Sequence, residues 1–333
     1  MKAIIPVAGI GSRMRPHTQT QPKSLIPVAG KPILGHIIDS LKKAGINEFV
    51  FIIGYLGDKV EQYVSQNHQD CKSSFVIQTL GKGIGHAIWL AREEISDDEP
   101  VLIVLGDTIF EADLQKVIRE GKSSLGVKKV EDPRLFGVAE LDDTGNISRM
   151  IEKPNIPRSN LALVGLYFIR ETSVLKQCLE YNIENEIRTQ NEFHLTDALQ
   201  CMITKGVEIG TFTVDSWFDC GKKEVILQTN RNLLKVITDN GITQETKDKN
   251  IIIPPVYISA KAKVENSIIG PDVSIGDEAI ITRSVIKNSI IGQHAEIRNA
   301  ILENSLIGSD STLVGAVHSL NIGDSAEINL GNN

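Results

Sequence analysis

The last quarter of the chain repeats itself. Three near-identical pentapeptides occur there, NSIIG at 266–270, NSIIG at 288–292 and NSLIG at 304–308. Ile-Gly pairs recur at spacings of 16, 16 and 15 residues, beginning at Ile275, Ile291, Ile307 and Ile322. Repetition at a short fixed period indicates one structural unit stacked on copies of itself, each copy burying the apolar face of its neighbour.

Within these copies, aliphatic residues recur about every six positions, as at Ile258, Val264, Ile269, Ile275 and Ile281. This spacing resembles the hexapeptide repeat of the left-handed parallel β-helix, in which about three hexapeptides form one coil. We therefore expect residues 251–333 to form a left-handed β-helix. A β-sandwich with strands of similar length is the alternative, and the regular Ile-Gly spacing disfavours it.

Ahead of the repeat, short apolar runs alternate with helical patterns, which predicts a mostly parallel, Rossmann-like α/β sheet over residues 1–236. The polar segment 237–250 lacks periodicity and is predicted to be a linker. The expected strands are Ala3–Val7, Phe49–Ile53, Phe75–Gln78 and Val101–Leu105. The expected helices lie near Pro32–Ala44, Asp58–Ser65, Ile84–Glu94 and Lys222–Ile237.

Composition narrows the class of protein. With 333 residues the chain is long enough for two domains, and its net charge of −7 argues against general nucleic-acid binding. No apolar run approaches the ~18 residues of a membrane span. The four cysteines have no paired or metal-binding spacing, so we expect free thiols and a cytoplasmic protein. An exposed end of the repeat domain would favour a homo-oligomer.

A glycine-rich loop follows the first predicted strand. The segment AGIGSRMRP at 8–16 places Gly9 and Gly11 where bare backbone N–H groups can approach an anion. The chain contains five Lys or Arg residues and no acid before Asp39. The sequence matches neither the P-loop pattern nor the dinucleotide fingerprint, which would need glycine at Met14. A cationic glycine loop on an acidic chain indicates a phosphate site.

The pattern G-x-G-[ST]-R-M-x-P, followed by P-K-x-L-x-P-V and G-K-P, resembles the opening motif of the sugar-1-phosphate nucleotidyltransferases. The resemblance implies that Arg13 and Lys23 are catalytic residues, which grip a nucleoside triphosphate and stabilise the departing pyrophosphate. It also implies nucleotide binding by four residues of the loop, namely Ala8, Gly9, Gly11 and Ser12.

The segment QTLGKGIGHA at 78–87 resembles the base-binding segment of these enzymes. By that resemblance, Gln78 and Gly83 contact the nucleobase. The G-x-G-H-A pattern is closer to members that use UTP or dTTP than to guanylyltransferases. His86 is expected to be a packing or capping residue at the start of a helix.

Three further segments resemble the sugar-phosphate half of the family's site: RLFGV at 134–138, IEKP at 151–154 and ALVGLY at 162–167. The resemblance implies that Gly137 and Glu152 bind sugar hydroxyls and that Lys153 binds the sugar phosphate. Leu163 and Val164 would offer backbone contacts.

Two aspartates are candidate metal ligands. Asp107 ends the buried run PVLIVLGD, and Asp219 stands in the pattern W-x-D-x-G. Either residue alone would more simply be a helix cap or a turn residue. In the family that the chain resembles, the two acids together hold Mg²⁺, which prefers carboxylate and phosphate oxygens.

The resemblance therefore implies a Mg²⁺-dependent transfer of a nucleotidyl group from UTP or dTTP to a sugar 1-phosphate, with glucose 1-phosphate expected. The loop has only Gly9, followed by Ile10, where many members of the family have two adjacent glycines, and this form favours UTP. The appended repeat instead resembles long thymidylyltransferases. One alternative is a catalytically silent regulatory subunit. It is disfavoured by the joint presence of five charged site residues, namely Arg13, Lys23, Asp107, Lys153 and Asp219. Another is acyl transfer by the repeat domain, where His294 or His318 could deprotonate an acceptor, although exposed surface positions are expected for both.

Overall fold

The computed structural model describes residues 1–237 and 240–316, so His318 and the last Ile-Gly pair lie outside the described residues. The chain divides into two compact units, one of Met1–Asn232 and one that begins at Leu233. Within the described residues, no helix is both long and apolar enough to span a bilayer. The two units are described in turn.

The part of the chain before the repeat alternates strands and helices. Its strands are β1 (Lys2–Pro6), β2 (Pro27–Val28), β3 (Lys31–Pro32), β4 (Glu48–Ile53), β5 (Lys72–Ile77), β6 (Val101–Val104), β7 (Thr108–Glu111), β8 (Ser124–Lys129), β9 (Gly137–Leu141), β10 (Ile147–Glu152), β11 (Leu161–Ile169), β12 (Gly210–Thr213) and β13 (Ser216–Asp219). Its helices are α1 (Ile33–Lys43), α2 (Gly57–Asn67), α3 (Ile84–Leu90), α4 (Leu114–Glu120), α5 (Thr172–Glu184), α6 (Leu195–Thr204) and α7 (Lys223–Leu234).

A nine-stranded sheet forms the centre of this unit, with the order β10-β9-β11-β6-β1-β4-β5 and with β8 paired to both β11 and β12. Strands β6, β1, β4 and β5 are mutually parallel, as the strand-helix alternation predicts. The predicted α/β fold class is therefore confirmed. The apolar runs of β1, β4 and β6 are buried on both faces, and Ile4, Val50 and Ile103 are fully buried, whereas the edge strand β5 leaves Ile77 exposed.

In the other half of the sheet, β11 pairs antiparallel with β6, β8 and β9, and β9 and β10 form an antiparallel hairpin, while β12 pairs parallel with β8. The turn between β9 and β10 is closed by the Asp142 carboxylate, which accepts hydrogen bonds from the backbone N–H groups of Thr144 and Asn146 at 2.8 and 3.1 Å. Asp-rich turns of this kind connect neighbouring antiparallel strands directly. The predicted parallel pairing is found among β1, β4, β5 and β6 and between β8 and β12, and antiparallel pairs complete the sheet.

Up to residue 316, where the description ends, the second unit contains one short helix followed by twelve short strands. Helix α8 (Gln244–Lys249) lies in the segment predicted as a linker, and the Thr243 side chain caps its N-terminus. The strands are β14 (Ile251–Ile252), β15 (Val256–Ile258), β16 (Lys263–Glu265), β17 (Ile268–Ile269), β18 (Val273–Ile275), β19 (Ile280–Thr282), β20 (Val285–Lys287), β21 (Ile290–Ile291), β22 (Glu296–Arg298), β23 (Ile301–Glu303), β24 (Leu306–Ile307) and β25 (Thr312–Val314).

These strands form three parallel four-stranded sheets, each taking every third strand in turn, which confirms the predicted β-helix. In one sheet Ile258 pairs with Ile275 and Ile275 with Ile291, so one coil spans 17 and then 16 residues. Ile269, Ile281 and other inward aliphatic residues fill the interior and are fully buried.

The corners of the coils are defined by the backbone. In the described part of the β-helix, nine non-glycine residues have φ between 40° and 64°, spaced five or six positions apart: Asn266, Asp272, Glu278, Arg283, Asn288, His294, Asn299, Asn304 and Asp310. Asparagine and aspartate tolerate this left-handed conformation better than most residues. Buried serines join successive coils, since the Ser267 hydroxyl accepts a hydrogen bond from the Ser284 N–H and the Ser284 hydroxyl accepts one from the Ala300 N–H.

One outer face of the β-helix carries a row of aliphatic side chains, hereafter the aliphatic row. It consists of Ile251, Ile268, Val285 and Ile301, which are register partners on four successive strands. Ile251 and Ile301 are 60% and 85% exposed. A contiguous exposed apolar strip of this kind is typical of a surface that contacts another molecule.

Neighbouring isoleucines on β19 test the inward register of the β-helix. Ile281 is fully buried, whereas Ile280 on the same strand is 38% exposed. We expect Ile281→Ala to lower the free energy of unfolding of the β-helix by about 2–5 kcal/mol, because it leaves a cavity between coils. Ile280→Ala is the matched control and should change that free energy by less than about 1 kcal/mol.

Urea titrations followed by far-ultraviolet circular dichroism would measure both variants. Equal destabilisation by the two substitutions would contradict the assigned register.

Candidate functional site

A cavity of about 870 Å³ opens at the carboxyl ends of the parallel strands β1 and β6. This is the edge at which open α/β sheets bind ligands. The cavity brings together most of the residues predicted to contact a nucleotide. Those that line it are Ala8, Gly9, Gly11, Ser12, Arg13, Lys23, Gln78, Gly83 and Asp107.

The glycine loop leaves β1 and turns back beneath the cavity. Gly11 has φ of 67°, a left-handed conformation that glycine adopts without strain, and its carbonyl accepts a hydrogen bond from the Thr18 hydroxyl at 2.8 Å. The turn begins a short 3₁₀ helix, Ser12–Met14, which presents Arg13 at the cavity and buries Met14. The glycine loop is therefore a compact turn with an exposed arginine, and its binding of phosphate stays a prediction.

Lys23 joins two carboxylates that come from distant parts of the chain. Its ammonium group pairs with the Asp107 carboxylate and lies 3.8 Å from Asp219 Oδ1. The two acids meet because the residue after Asp107, Thr108, is the register partner of Asp219 in the β7–β13 pair. The Cys220 N–H also donates to the Asp107 carbonyl at 3.0 Å. The structure thus brings together the two predicted metal ligands.

The two carboxylates repel each other. Burial raises the pKa of Asp219 above its usual value, and the negative charge of Asp107 raises it further, while Lys23 and Arg13 oppose the rise. Each carboxyl side chain is 33% exposed, so solvent and ligands can reach both. The partly exposed carboxylate pair of Asp107 and Asp219 can accommodate an additional cation.

Among the residues that the structure describes, no cluster of three or more His, Cys, Asp or Glu side chains could hold a metal. A metal at the carboxylate pair would therefore take further oxygen ligands from a substrate. Carboxylate and phosphate oxygens together are a donor set that Mg²⁺ accepts.

The segment 78–87, which is predicted to bind the base, is shaped by close backbone packing. The Gly85 N–H donates to the Phe193 carbonyl at 2.7 Å, and the Phe193 N–H donates to the Lys82 carbonyl at 2.8 Å. Gly83 has φ of 101°, and a Cβ atom there would lie 2.5 Å from the Phe193 carbonyl oxygen. Glycine is required because the backbone of residues 192–194 occupies the place of a side chain.

Gln78 is the first residue of this segment, and it lines the cavity. Its side-chain Nε2 lies 3.2 Å from the Gly83 carbonyl oxygen and 3.1 Å from His86 Nδ1. The imidazole of His86 stacks on Phe193, with ring centroids 6.3 Å apart, and lies 5.8 Å from the Trp89 ring. The expectation that His86 is a packing residue is correct, and the contact with Gln78 is an addition to it.

The predicted sugar-binding residues form a second cluster, which does not line the main cavity. Gly137 and Glu152 are register partners on β9 and β10. The Glu152 carboxylate accepts a hydrogen bond from the Thr196 hydroxyl at 2.8 Å. Lys153 is 41% exposed, with its ammonium group 3.7 Å from Glu152 Oε1, and its backbone N–H donates to the Phe136 carbonyl.

Buried Tyr167 lies within electrostatic range of a carboxylate from each cluster. Burial raises the pKa of its phenol, and the negative charges of Glu152 and Asp107 raise it further, so both carboxylates lie within electrostatic range of one side chain. On the same strand, the register with β8 shifts between Leu163 and Tyr167. Val164 lies in this irregular part of β11, where ladder hydrogen bonds are interrupted and backbone groups become available to other partners.

Sequence reasoning missed two residues of the sugar-side cluster. Thr196 binds Glu152 directly, and His194 Nδ1 lies 3.7 Å from Glu152 Oε1 while its Nε2 is buried without a hydrogen-bond partner. The available signal was the sequence F-H-L-T-D at 193–197, whose Thr196 and Asp197 are typical of the first turn of a helix. That signal predicts a helix start and carries no information about which carboxylate the polar residues face.

His294 in the β-helix is a corner residue, with φ of 55° and a half-exposed side chain 3.5 Å from Glu278 Oε2. This is the exposed surface position that the repeat predicts. His318 lies outside the described residues.

Two protein families match this chain, one over the α/β unit and one over the β-helix. The family described as nucleotidyl transferase matches residues 2–236, and the family described as GlmU-like, C-terminal hexapeptide matches residues 234–323. The low-salt glycan biosynthesis nucleotidyltransferase Agl11 of Haloferax volcanii is 36% identical over 71% of this chain and 66% of its own length.

Two further relatives cover different shares of the chain. Glucose-1-phosphate thymidylyltransferase of Streptomyces antibioticus is 31% identical over 87% of this chain and 86% of its own length. Among solved structures, a UDP-glucose pyrophosphorylase in complex with UDP-glucose is similar with a TM-score of 0.61 at 26% identity, over 70% of this chain and 98% of that one.

Two glycines of the base-binding segment differ in their surroundings and test its packing. A Cβ atom at Gly83 would meet the Phe193 backbone, whereas one at Gly81 would have nothing within 4 Å. We expect Gly83→Ala to lower the free energy of unfolding by about 1–3 kcal/mol, because alanine is strained at this φ and displaces the 192–194 backbone. Gly81→Ala, the matched control, should match the unmodified protein.

Thermal unfolding and amide hydrogen exchange at Gly85 and Phe193 would measure the effect. Unchanged exchange at both amides in Gly83→Ala would contradict the packing described above.

Proposed function

Since this chain belongs to the nucleotidyl transferase family, we propose that it is a sugar-1-phosphate nucleotidyltransferase. It would condense a sugar 1-phosphate, with glucose 1-phosphate expected, with UTP or dTTP to give a nucleoside-diphosphate sugar and pyrophosphate. The observation that carries the proposal is Lys23 paired with Asp107 and close to Asp219 beside a glycine loop that presents Arg13. The relatives named for thymidylyl transfer and UDP-glucose synthesis support it.

The reaction requires two anions to approach each other. A phosphate oxygen of the sugar 1-phosphate attacks the α-phosphorus of the triphosphate, and the bond from that phosphorus to the bridging oxygen breaks. Pyrophosphate leaves with the electron pair. The attacking oxygen is already anionic, so no base is needed and the protein contributes positioning and neutralisation of charge.

We assign these roles to the cations of the site. Arg13 and Lys23 would bind the triphosphate and stabilise charge on the departing pyrophosphate, while the exposed Lys153 would hold the attacking phosphate. The backbone of Ala8, Gly9, Gly11 and Ser12 would bind the nucleotide, because it lines the cavity next to these cations. Phosphate binding by backbone N–H groups of such loops is well understood.

The carboxylate pair fits a divalent cation. Asp107 and Asp219 are partly exposed oxygen donors whose mutual repulsion Lys23 only partly offsets. We propose that they hold Mg²⁺, which when bound would neutralise phosphate charge on both substrates. Arg13 and Lys23 then flank the same phosphates from the loop side.

The second cluster would select the sugar. Glu152 is held by Thr196, and with Gly137 it would bind sugar hydroxyls, while Leu163 and Val164 would contribute backbone groups of the irregular β11 segment. A carboxylate held by a second side chain discriminates among hydroxyl arrangements more sharply than a mobile one.

The assignment is tested first by pyrophosphate release with Mg²⁺, glucose 1-phosphate and each of dTTP, UTP, ATP, GTP and CTP. We expect Arg13→Ala and Asp107→Ala to lower turnover by at least ~10²-fold, because each removes a group that neutralises or anchors the phosphates. Arg15→Ala is the matched control, since Arg15 lies in the same loop outside the cavity lining. Thermal unfolding would verify that all three variants remain folded.

Near-normal turnover in both Arg13→Ala and Asp107→Ala would contradict the assignment. Inactivity of the unmodified protein with every nucleotide and a wider set of sugar phosphates would favour the silent regulatory subunit.

We also propose that the protein self-associates through the aliphatic row, whose exposed isoleucines would be covered by a second copy. Ile301→Lys should shift the sedimentation coefficient toward that of a smaller species, because a charge would be buried in the interface. Thr312→Lys, at an exposed strand position off the row, is the control. Unchanged sedimentation of Ile301→Lys would contradict the proposal.

A further inference from the structure

The orientation of the Gln78 side-chain amide is determined by its surroundings. Its Nε2 lies 3.2 Å from the Gly83 carbonyl oxygen, which can only accept a hydrogen bond. If the amide were turned over, two carbonyl oxygens would face each other at this distance. Nε2 is therefore the atom that donates to Gly83.

The second N–H of the same amide faces His86 Nδ1 at 3.1 Å. Because that N–H is a donor, Nδ1 must be the acceptor, which requires a neutral imidazole with its proton on Nε2. Burial lowers the pKa of His86, and the positive charge of Lys82 lowers it further, so the neutral ring is the favoured form.

The His86 ring is itself held in place. It stacks on Phe193 and lies 5.8 Å from the Trp89 ring, and its backbone lies in α3 next to the Gly85–Phe193 hydrogen bond. His86 does not line the cavity, whereas Gln78, Gly83 and the neighbouring Ile84 do. Gln78 is therefore a cavity-lining side chain that His86 contacts directly.

With both N–H groups of Gln78 directed to the protein, the side-chain oxygen Oε1 is the atom left for a ligand. An acceptor fixed at this place favours a base whose ring nitrogen carries a proton on the pairing edge. Uracil, thymine and guanine have such a ring N–H. In cytosine and adenine the corresponding ring nitrogen is itself an acceptor and would repel Oε1.

We propose that His86 is a positioning residue for base selection, which fixes the Gln78 amide so that the cavity accepts uracil or thymine and rejects cytosine. The proposal rests on the function proposed above. Without His86 only the single hydrogen bond to Gly83 opposes rotation of the amide. A rotated amide would present its NH₂ group, which pairs with the acceptor nitrogen of cytosine.

The comparison of UTP with CTP isolates this effect, because the two bases have the same size and differ in the groups on their pairing edge. We expect the ratio of kcat/KM for UTP to that for CTP to fall at least tenfold in His86→Leu, which removes the acceptor. His86→Asn should preserve most of the ratio, because its Oδ1 can occupy the place of Nδ1 and accept from Gln78. The change should appear mainly in KM, since the reacting phosphates are untouched.

His68→Leu is the matched control. His68 likewise packs its ring against an aromatic side chain, Tyr63, but it lies outside the cavity lining. It should leave the UTP to CTP ratio unchanged.

Three results would overturn the inference: no preference for UTP over CTP in the unmodified protein, an equal loss of kcat/KM for both nucleotides in His86→Leu, or equal ratios in His86→Leu and His86→Asn. If the unmodified protein turns over no nucleotide, the proposed function fails separately. Equilibrium dialysis with UTP and CTP alone then decides the inference from the same ratio of affinities.

Discussion

The site depends on one lysine placed between two carboxylates. Lys23 comes from the loop after β1, Asp107 from the end of β6 and Asp219 from the end of β13, so their meeting requires the central sheet and the β7–β13 pair to be in register. The lysine side chain is only 13% exposed, and an unpaired ammonium so placed would be costly. Its charge also opposes the repulsion between the two acids. The interaction among these three charged side chains therefore depends on the fold and determines the arrangement of the site.

The parts of the structure that follow from local rules were predictable from the sequence. The glycine loop is one continuous segment, and its glycines Gly9 and Gly11 and its cation Arg13 lie within six residues of the chain. The repeat was predictable because every coil obeys the same register, and Ile258, Ile275 and Ile291 stack as their spacing requires. In both cases the information needed lies within one or two neighbouring units of sequence.

The parts that depend on distant contacts were not predictable. Thr196 and His194 meet Glu152 across more than forty residues, and a helix-start pattern does not reveal which strand that helix faces. The antiparallel half of the sheet was missed because buried strands look alike whichever way they run. The role inferred for His86 needed a distance and a donor count, which a sequence motif does not supply.

The β-helix builds each coil from the same contacts as the one before: an inward aliphatic residue, a left-handed corner, and a serine that bonds to the next coil. Because each coil touches only its neighbours, inserting or deleting 16 or 17 residues at a corner adds or removes one whole coil and leaves the remaining register intact. The number of coils in this domain can therefore change during evolution, one coil at a time. The catalytic half has no comparable freedom, since a single shift of β13 would separate Asp219 from Lys23.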